Sequence, residues 1–237
     1  MSNVAQQGSH DRIMVVVGDR DDCTHRTPPI LAGIAGGSGS GKTTLAQGLR
    51  ALTADFGSVV LSQDDYYFGL PEGVAASDYN FDEPASLDLE RLAVDLAALK
   101  AGRAVRRPVY DFARHCRADV EQETVPTRLI IVEGLFLFAL PALRDLFDLR
   151  CFVDVPAEER LQRRVLRDVA TRGRSEAEIR DQWERQVEPM YVRHIRCTRD
   201  SAHVVLNVPH PDEWAYSEQV VALWGLVEQR LHEVTAE

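Results

Sequence analysis

Residues 30–45 read ILAGIAGGSGSGKTTL, and no other stretch of the chain restricts its fold as strongly. The run fits the phosphate-loop pattern G-x-x-x-x-G-K-S/T, with Gly36, Gly41, Lys42 and Thr43 at the fixed positions. Its flanks matter as much as the pattern. Ile30–Ala35 is a short apolar run that predicts a buried strand, and Leu45, Leu49 and Leu52 recur at helical spacing after it. A flexible Gly/Ser linker would rarely join a buried strand directly to an amphipathic helix. Strand, glycine loop and helix are what a phosphate cradle requires. Glycines let backbone N–H groups converge on phosphate oxygens, and the helix N-terminus adds its partial positive charge. Gly36, Gly37, Ser38, Gly39, Ser40, Gly41, Lys42, Thr43 and Thr44 are therefore the expected nucleotide cradle. Lys42 suits the β- and γ-phosphates, and the Thr43 hydroxyl suits Mg²⁺.

The chain has 237 residues and 45% hydrophobic content, enough for a substantial core. A formal charge of −10 argues against a general nucleic-acid or anionic-membrane binder. Lys42 and Lys100 are the only lysines among 27 basic residues, and eleven of the arginines fall between Arg160 and Arg199. A local anion site is compatible with that clustering, as is a solvated helix face. Cys23, Cys116, Cys151 and Cys197 are scattered and suggest neither a zinc site nor a disulfide framework. The polar start lacks a signal-peptide core, and the longest apolar stretch, Leu129–Leu143, is too short and broken to span a bilayer. A reducing, cytoplasmic setting is the default expectation.

Strands are expected at Ser58–Ser62, Leu129–Val132, Arg150–Val155 and Val204–Leu206. Helices are expected at Leu87–Leu99, Pro156–Thr171 with Pro156 at its first position, Glu176–Ile195 and Tyr216–Val234. Pro189 should bend or break the third of these. Arg103–Phe112 and Cys116–Val125 suggest a hairpin outside the main sheet. Residues 1–29, with one apolar run at Ile13–Val17, form an N-terminal extension, and residues 30–237 a single domain. Strands alternating with helices predict an α/β domain around a mostly parallel sheet.

In such sheets ligands bind beyond the carboxyl ends of the strands. The second strand ends near Asp64 and the third near Glu133. Phosphoryl transfer needs a base for the nucleophile's proton and a cation to bridge phosphate oxygens, so Asp64 suits the base and Thr43, Asp64 and Glu133 the Mg²⁺ side. Asp65 is read instead as a helix cap. Arg160, Arg164 and Arg167 lie about one turn apart on one helical face. Arg172 and Arg174 flank Gly173 in an arginine-rich lid at about 168–176, where guanidinium forks match a transferring phosphoryl group.

Taken together, IAGGSGSGKTT, LSQDDYY, YNFDEPASLD, PVYDFARHCR, IIVEGLFLF, RLQRRVLRDVATRGR and the QW…VEPMY segment resemble the uridine–cytidine kinases, relatives of phosphoribulokinase, in that family's order from about Ile30 to Leu206. The resemblance implies a three-layer P-loop kinase fold. It also implies transfer from ATP, or GTP, with Mg²⁺, to the 5′-hydroxyl of uridine and cytidine, in pyrimidine salvage. Asp64 would be the base, with Lys42, Arg167 and Arg172 on the phosphates. Asp82 would hold the ribose hydroxyls with Arg164. Tyr110, Phe112 and His115 would form the base pocket, Tyr67 would line the same nucleoside side, Arg174 would reach the base or phosphate side, and Gln182 would close it. A homotetramer is what the family suggests. Glu83 stands where the family often has histidine. The residues after Leu206 lack its usual basic-glycine segment, so no adenine contacts are carried over.

Three rivals are weaker. A sugar-phosphate kinase would want basic residues near the Tyr79–Asp82 loop, and residues 64–86 contain none. A GTP-binding switch would need an N-K-x-D sequence, which neither lysine provides. A catalytically dead nucleotide sensor would not be expected to keep Lys42, Thr43, Asp64 and Glu133 together.

Overall fold

The computed structural model describes residues 28–76, 78–207 and 213–235. The apolar run Ile13–Val17 and the segment 208–212 lie outside the described residues. β1 (Ile30–Gly36) leads through the glycine loop into α1 (Lys42–Leu52). β2 (Ser58–Ser62), α2 (Leu89–Lys100), the hairpin β3 (Val105–Asp111) and β4 (Cys116–Thr124), and β5 (Leu129–Gly134) follow. Then come α3 (Pro141–Arg144), β6 (Leu149–Asp154), α4 (Ala157–Arg172), α5 (Glu176–Gln182), α6 (Glu188–Met190), β7 (Val204–Asn207) and α7 (Glu213–Thr235).

Five strands form one sheet in the order β2-β5-β1-β6-β7, and every pairing in it is parallel. β1 sits at the centre because all seven of its residues are apolar or glycine and all are buried. Its side chains alternate between two cores. Leu31 and Ala35 join Leu61, Leu96 and Phe136 on the α2 side. Ile30, Ala32 and Ile34 join Leu45, Leu49, Leu223 and Val227 under α1 and α7. Helices on both faces give the three layers. The order places the ends of β1, β2 and β5 side by side, which is where this fold binds ligands.

The β3–β4 hairpin stands outside that sheet. Arg117 fastens it to the chain after β2, donating to the Tyr66 and Tyr67 carbonyls at 3.1 and 2.9 Å and to Asp88 at 3.0 Å. The Leu70 N–H donates to the His115 carbonyl at 2.9 Å. The hairpin tip is thereby held against the loop that follows Asp64.

Three local expectations need correction. Pro156 is not the first helical residue. It has extended backbone, and α4 starts one residue later with the Arg160 N–H bonded to the Pro156 carbonyl. Pro189 does not break its helix. Wide π turns at Trp183–Val187 and Tyr191–Ile195 flank α6, and the Glu188 N–H reaches back five residues to Trp183. That wider register carries the chain past a residue with no N–H to give. Asp65 is not a cap. The Ser62 hydroxyl caps the turn after β2, and Asp65 pairs instead with Arg107 of the hairpin.

Candidate active site

The glycine loop is shaped by what lies beneath it. Gly39 has φ of 77°, and a Cβ there would stand 2.2 Å from the Arg160 carbonyl oxygen. Gly41 caps α1 at φ 93°. Both values belong to the left-handed region that glycine enters without a steric penalty. The first turn of α1 carries no acidic side chain, so its positive end is left for an anion. Lys42 is half-buried, and Thr43 and Thr44 are exposed in that turn. The Ser38 hydroxyl accepts from Arg164 Nη1 at 2.9 Å, which ties the loop to α4.

The carboxylates stand at the neighbouring strand ends. Ser62 pairs in register with Glu133. The Ser62 hydroxyl donates to Glu133 Oε1 at 2.7 Å, and Thr43 Oγ1 donates to Glu133 Oε2 at 3.1 Å. The Asp64 N–H donates to the same Ser62 oxygen at 3.3 Å. Burial and the Glu133 charge push the Asp64 carboxyl up to about 6, with Lys42 and Arg172 opposing. A carboxylate whose proton affinity is raised by burial and by a second carboxylate, beside a hydroxyl, makes a hard-oxygen donor set that fits Mg²⁺. Among the described residues no cluster of three or more His, Cys, Asp or Glu forms a protein cage. Mg²⁺ in kinase sites commonly needs only one or two carboxylates beside the phosphates.

Asp82 is buried across from this edge, with Arg164 and Lys42 acting on its carboxyl against the desolvation that raises it. An aromatic group surrounds the loop that carries it. Phe81 stacks at 5.3 Å on His115, at 5.7 Å edge-on to Tyr67 and at 4.8 Å to Tyr79. Tyr67 meets Tyr110 at 5.3 Å, and Phe112 touches Tyr110 at 5.1 Å while remaining half-exposed at the hairpin tip. The Tyr67 hydroxyl donates to the Phe81 carbonyl at 3.0 Å, so this ring braces the Asp82 loop. His115 has φ of 52°, and Asp111 closes the turn before it by accepting from the Ala113 and Arg114 N–H groups.

Helix α4 presents its charges inward. Its buried residues are Arg160, Arg164 and Asp168, at i, i+4 and i+8, while Leu166 and Val169 face solvent. Arg160 stacks on Tyr191 at 3.8 Å and pairs with Glu188 at 2.8 Å. Arg164 donates to Gln182 Oε1 at 3.0 Å, and Arg174 donates to the same oxygen at 2.8 Å. Arg167 donates to Asp168 at 2.8 Å. Hydrogen bonds and charge effects thus link Asp64, Asp82, Glu133, Lys42, Gln182 and the four arginines Arg164, Arg167, Arg172 and Arg174 into one neighbourhood. Tyr67, Tyr110 and His115 stand on its hairpin side. Reasoning from sequence missed Ser62, Phe81 and Asp168. The first is marked only by its register with Glu133, the second lies within the matched YNFD segment, and the third sits in the arginine run.

A phosphate loop at the switch point of a parallel sheet, facing a base-like carboxylate, defines a phosphotransferase of the P-loop α/β class. Residues 31–213 match the Phosphoribulokinase / Uridine kinase family, and the chain belongs to it. The uridine kinase of Leuconostoc citreum is 37% identical over 182 residues, covering 75% of this chain and 87% of that protein. The uridine kinase of Halalkalibacterium halodurans is 33% identical over 207 residues, covering 85% and 97%. The phosphoribulokinase structure from Rhodobacter spheroides matches at TM-score 0.58 and 18% identity, over 76% of this chain and 70% of that one. A structure from Silicibacter sp. TM1040 matches at TM-score 0.64 and 24% identity, over 76% and 91%. At these identities the two structures establish the shared fold.

Proposed function

We propose that this protein transfers the γ-phosphoryl group of ATP to the 5′-hydroxyl of uridine, and also of cytidine. The carrying observation is the placement of Asp64. It lies in the turn directly after β2, Lys42 of the phosphate loop acts on both its carboxyl and that of Asp82, and burial raises its proton affinity. A carboxyl of that affinity suits acceptance of the hydroxyl proton as the new P–O bond forms. Lys42, Arg167 and Arg172 hold charge that spreads over the transferring oxygens, and the loop N–H groups hold the remaining phosphates. Thr43, Asp64 and Glu133 would hold Mg²⁺, which neutralises phosphate charge when bound. Asp82 accepts from the ribose hydroxyls beside Arg164. The Tyr110, Phe112 and His115 side of the hairpin takes the pyrimidine by stacking and by hydrogen bonds at its 4-position. Relatives named uridine kinase at 33–37% identity support the acceptor. Because residues 64–86 contain no lysine or arginine, a phosphorylated sugar finds no counter-charge there.

Coupled ADP release should show turnover with uridine and cytidine, and little with purine nucleosides or ribulose 5-phosphate. Absence of turnover on every pyrimidine nucleoside would refute the acceptor assignment. His115→Ala should raise the uridine KM about tenfold while kcat changes less than about threefold, because stacking and hydrogen bonds to the base are lost in ground and transition state alike. An unchanged uridine KM would remove His115 from the pocket.

A further inference from the structure

Asp168 is the most buried charged side chain near the site, at 0% exposure, and no part of the proposed chemistry uses it. Four guanidinium groups surround its carboxylate. Oδ1 accepts from Arg167 Nε at 2.8 Å and lies 3.6 Å from Arg172 Nη1. Oδ2 lies 3.6 Å from Arg164 Nε and 3.9 Å from Arg174 Nη1, and it accepts no hydrogen bond. Arg164 Nε is likewise buried without a hydrogen-bond partner. Asp82 is the second carboxylate acting on these arginines, so two carboxylate charges face four guanidinium charges and the cluster stays short of anions. Two polar atoms facing each other just beyond bonding distance leave its packing slack.

Between them the four arginines reach both halves of the site, Arg167 acting on Asp82. Arg164 ends on Ser38 of the phosphate loop and on Gln182, and Arg174 also ends on Gln182. The Arg172 charge acts on Asp64. Burial would raise the Asp168 carboxyl, but the Arg167, Arg172 and Arg164 guanidiniums outweigh it and keep the group ionised. The backbone adds to the arrangement, because the Asp168 carbonyl accepts the Gly173 N–H that turns the chain toward Arg174.

We propose that Asp168 is the positioning residue of this cluster, holding the four arginines in register in the ligand-free site and releasing donors to phosphate oxygens when the nucleotide binds. It touches no substrate. The inference rests on this being a phosphoryl-transfer site.

Its signature is a divergence between two readouts. Asp168→Asn removes a competing anion, so ground-state phosphate binding should strengthen. It also frees the arginines from their register, so the transition state should lose stabilisation. Calorimetric titration with pyrophosphate, which needs no acceptor, should show about three- to tenfold tighter binding to Asp168→Asn than to wild type. With MgATP and uridine, kcat should fall about 30-fold or more while the ATP KM does not rise. Asp168→Glu keeps the charge, so its pyrophosphate affinity should stay within about twofold of wild type. Equal or weaker pyrophosphate binding by a folded Asp168→Asn, or kcat within about threefold of wild type, overturns the proposal. If Asp168→Asn does not fold, Asp168→Glu decides alone. Retained pyrophosphate affinity with lowered kcat supports positioning, and wild-type kcat overturns it. Should wild type lack nucleoside turnover, the acceptor reading fails, and the pyrophosphate comparison still tests Asp168.

Discussion

Asp64→Asn should lower kcat by at least about a thousandfold while ATP continues to bind, because the amide cannot take the proton of the attacking hydroxyl. The same substitution should stabilise the metal-free protein. The Asp64 carboxyl titrates near 6 in the fold and 3.8 as the ordinary value, so ionising it costs the folded state more than the unfolded one. The penalty is absent below about pH 4, grows between about pH 4 and 6 and is constant above, on the order of 3 kcal/mol. Calorimetric melting in a chelator at about pH 7.5 should therefore give a higher Tm for Asp64→Asn than for wild type. The gap should close as the pH falls through 6 toward 4. A lower Tm, or a gap independent of pH, would show that burial beside Glu133 does not load this residue. Near-normal kcat would remove it as the base.

Gly39→Ala should be the most damaging single change in the phosphate loop. The new methyl would have to occupy space 2.2 Å from the Arg160 carbonyl, which is backbone and cannot rotate aside. The residue also holds φ of 77°, a region that L residues other than Asn and Asp enter at some penalty. Loop and α4 must separate, and Arg160 is itself locked on Tyr191 and Glu188. A loss of about 2–4 kcal/mol in stability and at least about 100-fold in ATP affinity is expected. Gly173→Ala supplies the contrast. Its φ is 63° but a Cβ there meets nothing within 4 Å, so only the conformational penalty of about 1 kcal/mol remains. Melting curves and ATP titrations of the two variants separate contact from backbone strain. Equal Tm losses would contradict a close packing of the loop on α4.

The nucleotide half of the site was legible because its signals are local. A glycine pattern between an apolar run and a helical one fixed β1, the loop and α1. Apolar runs ending in acidic residues located Asp64 and Glu133 at adjacent strand ends. Helix α4 was harder, because its buried stripe is Arg160, Arg164 and Asp168 while Leu166 and Val169 face out. Hydrophobic periodicity reads such a helix backwards. The arginines drew notice by number, but the carboxylate that organises them did not. Pro189 was expected to bend or break its helix because local rules assume the four-residue register; the helix runs on through a wider register, which tertiary packing of Trp183, Tyr191 and Ile195 supports. Asp65 was expected to cap a turn, and its partner Arg107 is remote in sequence. The residues of the proposed base pocket were legible only through the resemblance, and Tyr67, Phe81, Tyr110 and His115 come together by hairpin docking that no local pattern encodes.

The most direct test of the central claim is product identification by phosphorus NMR after incubation of wild type with MgATP and uridine. Uridine 5′-monophosphate and ADP should appear in equal amounts, and neither should form measurably with Asp64→Asn on the same timescale. ADP accumulating without a nucleoside monophosphate, or phosphate found at the 2′- or 3′-oxygen, would contradict transfer to a 5′-hydroxyl held between Asp64 and Asp82.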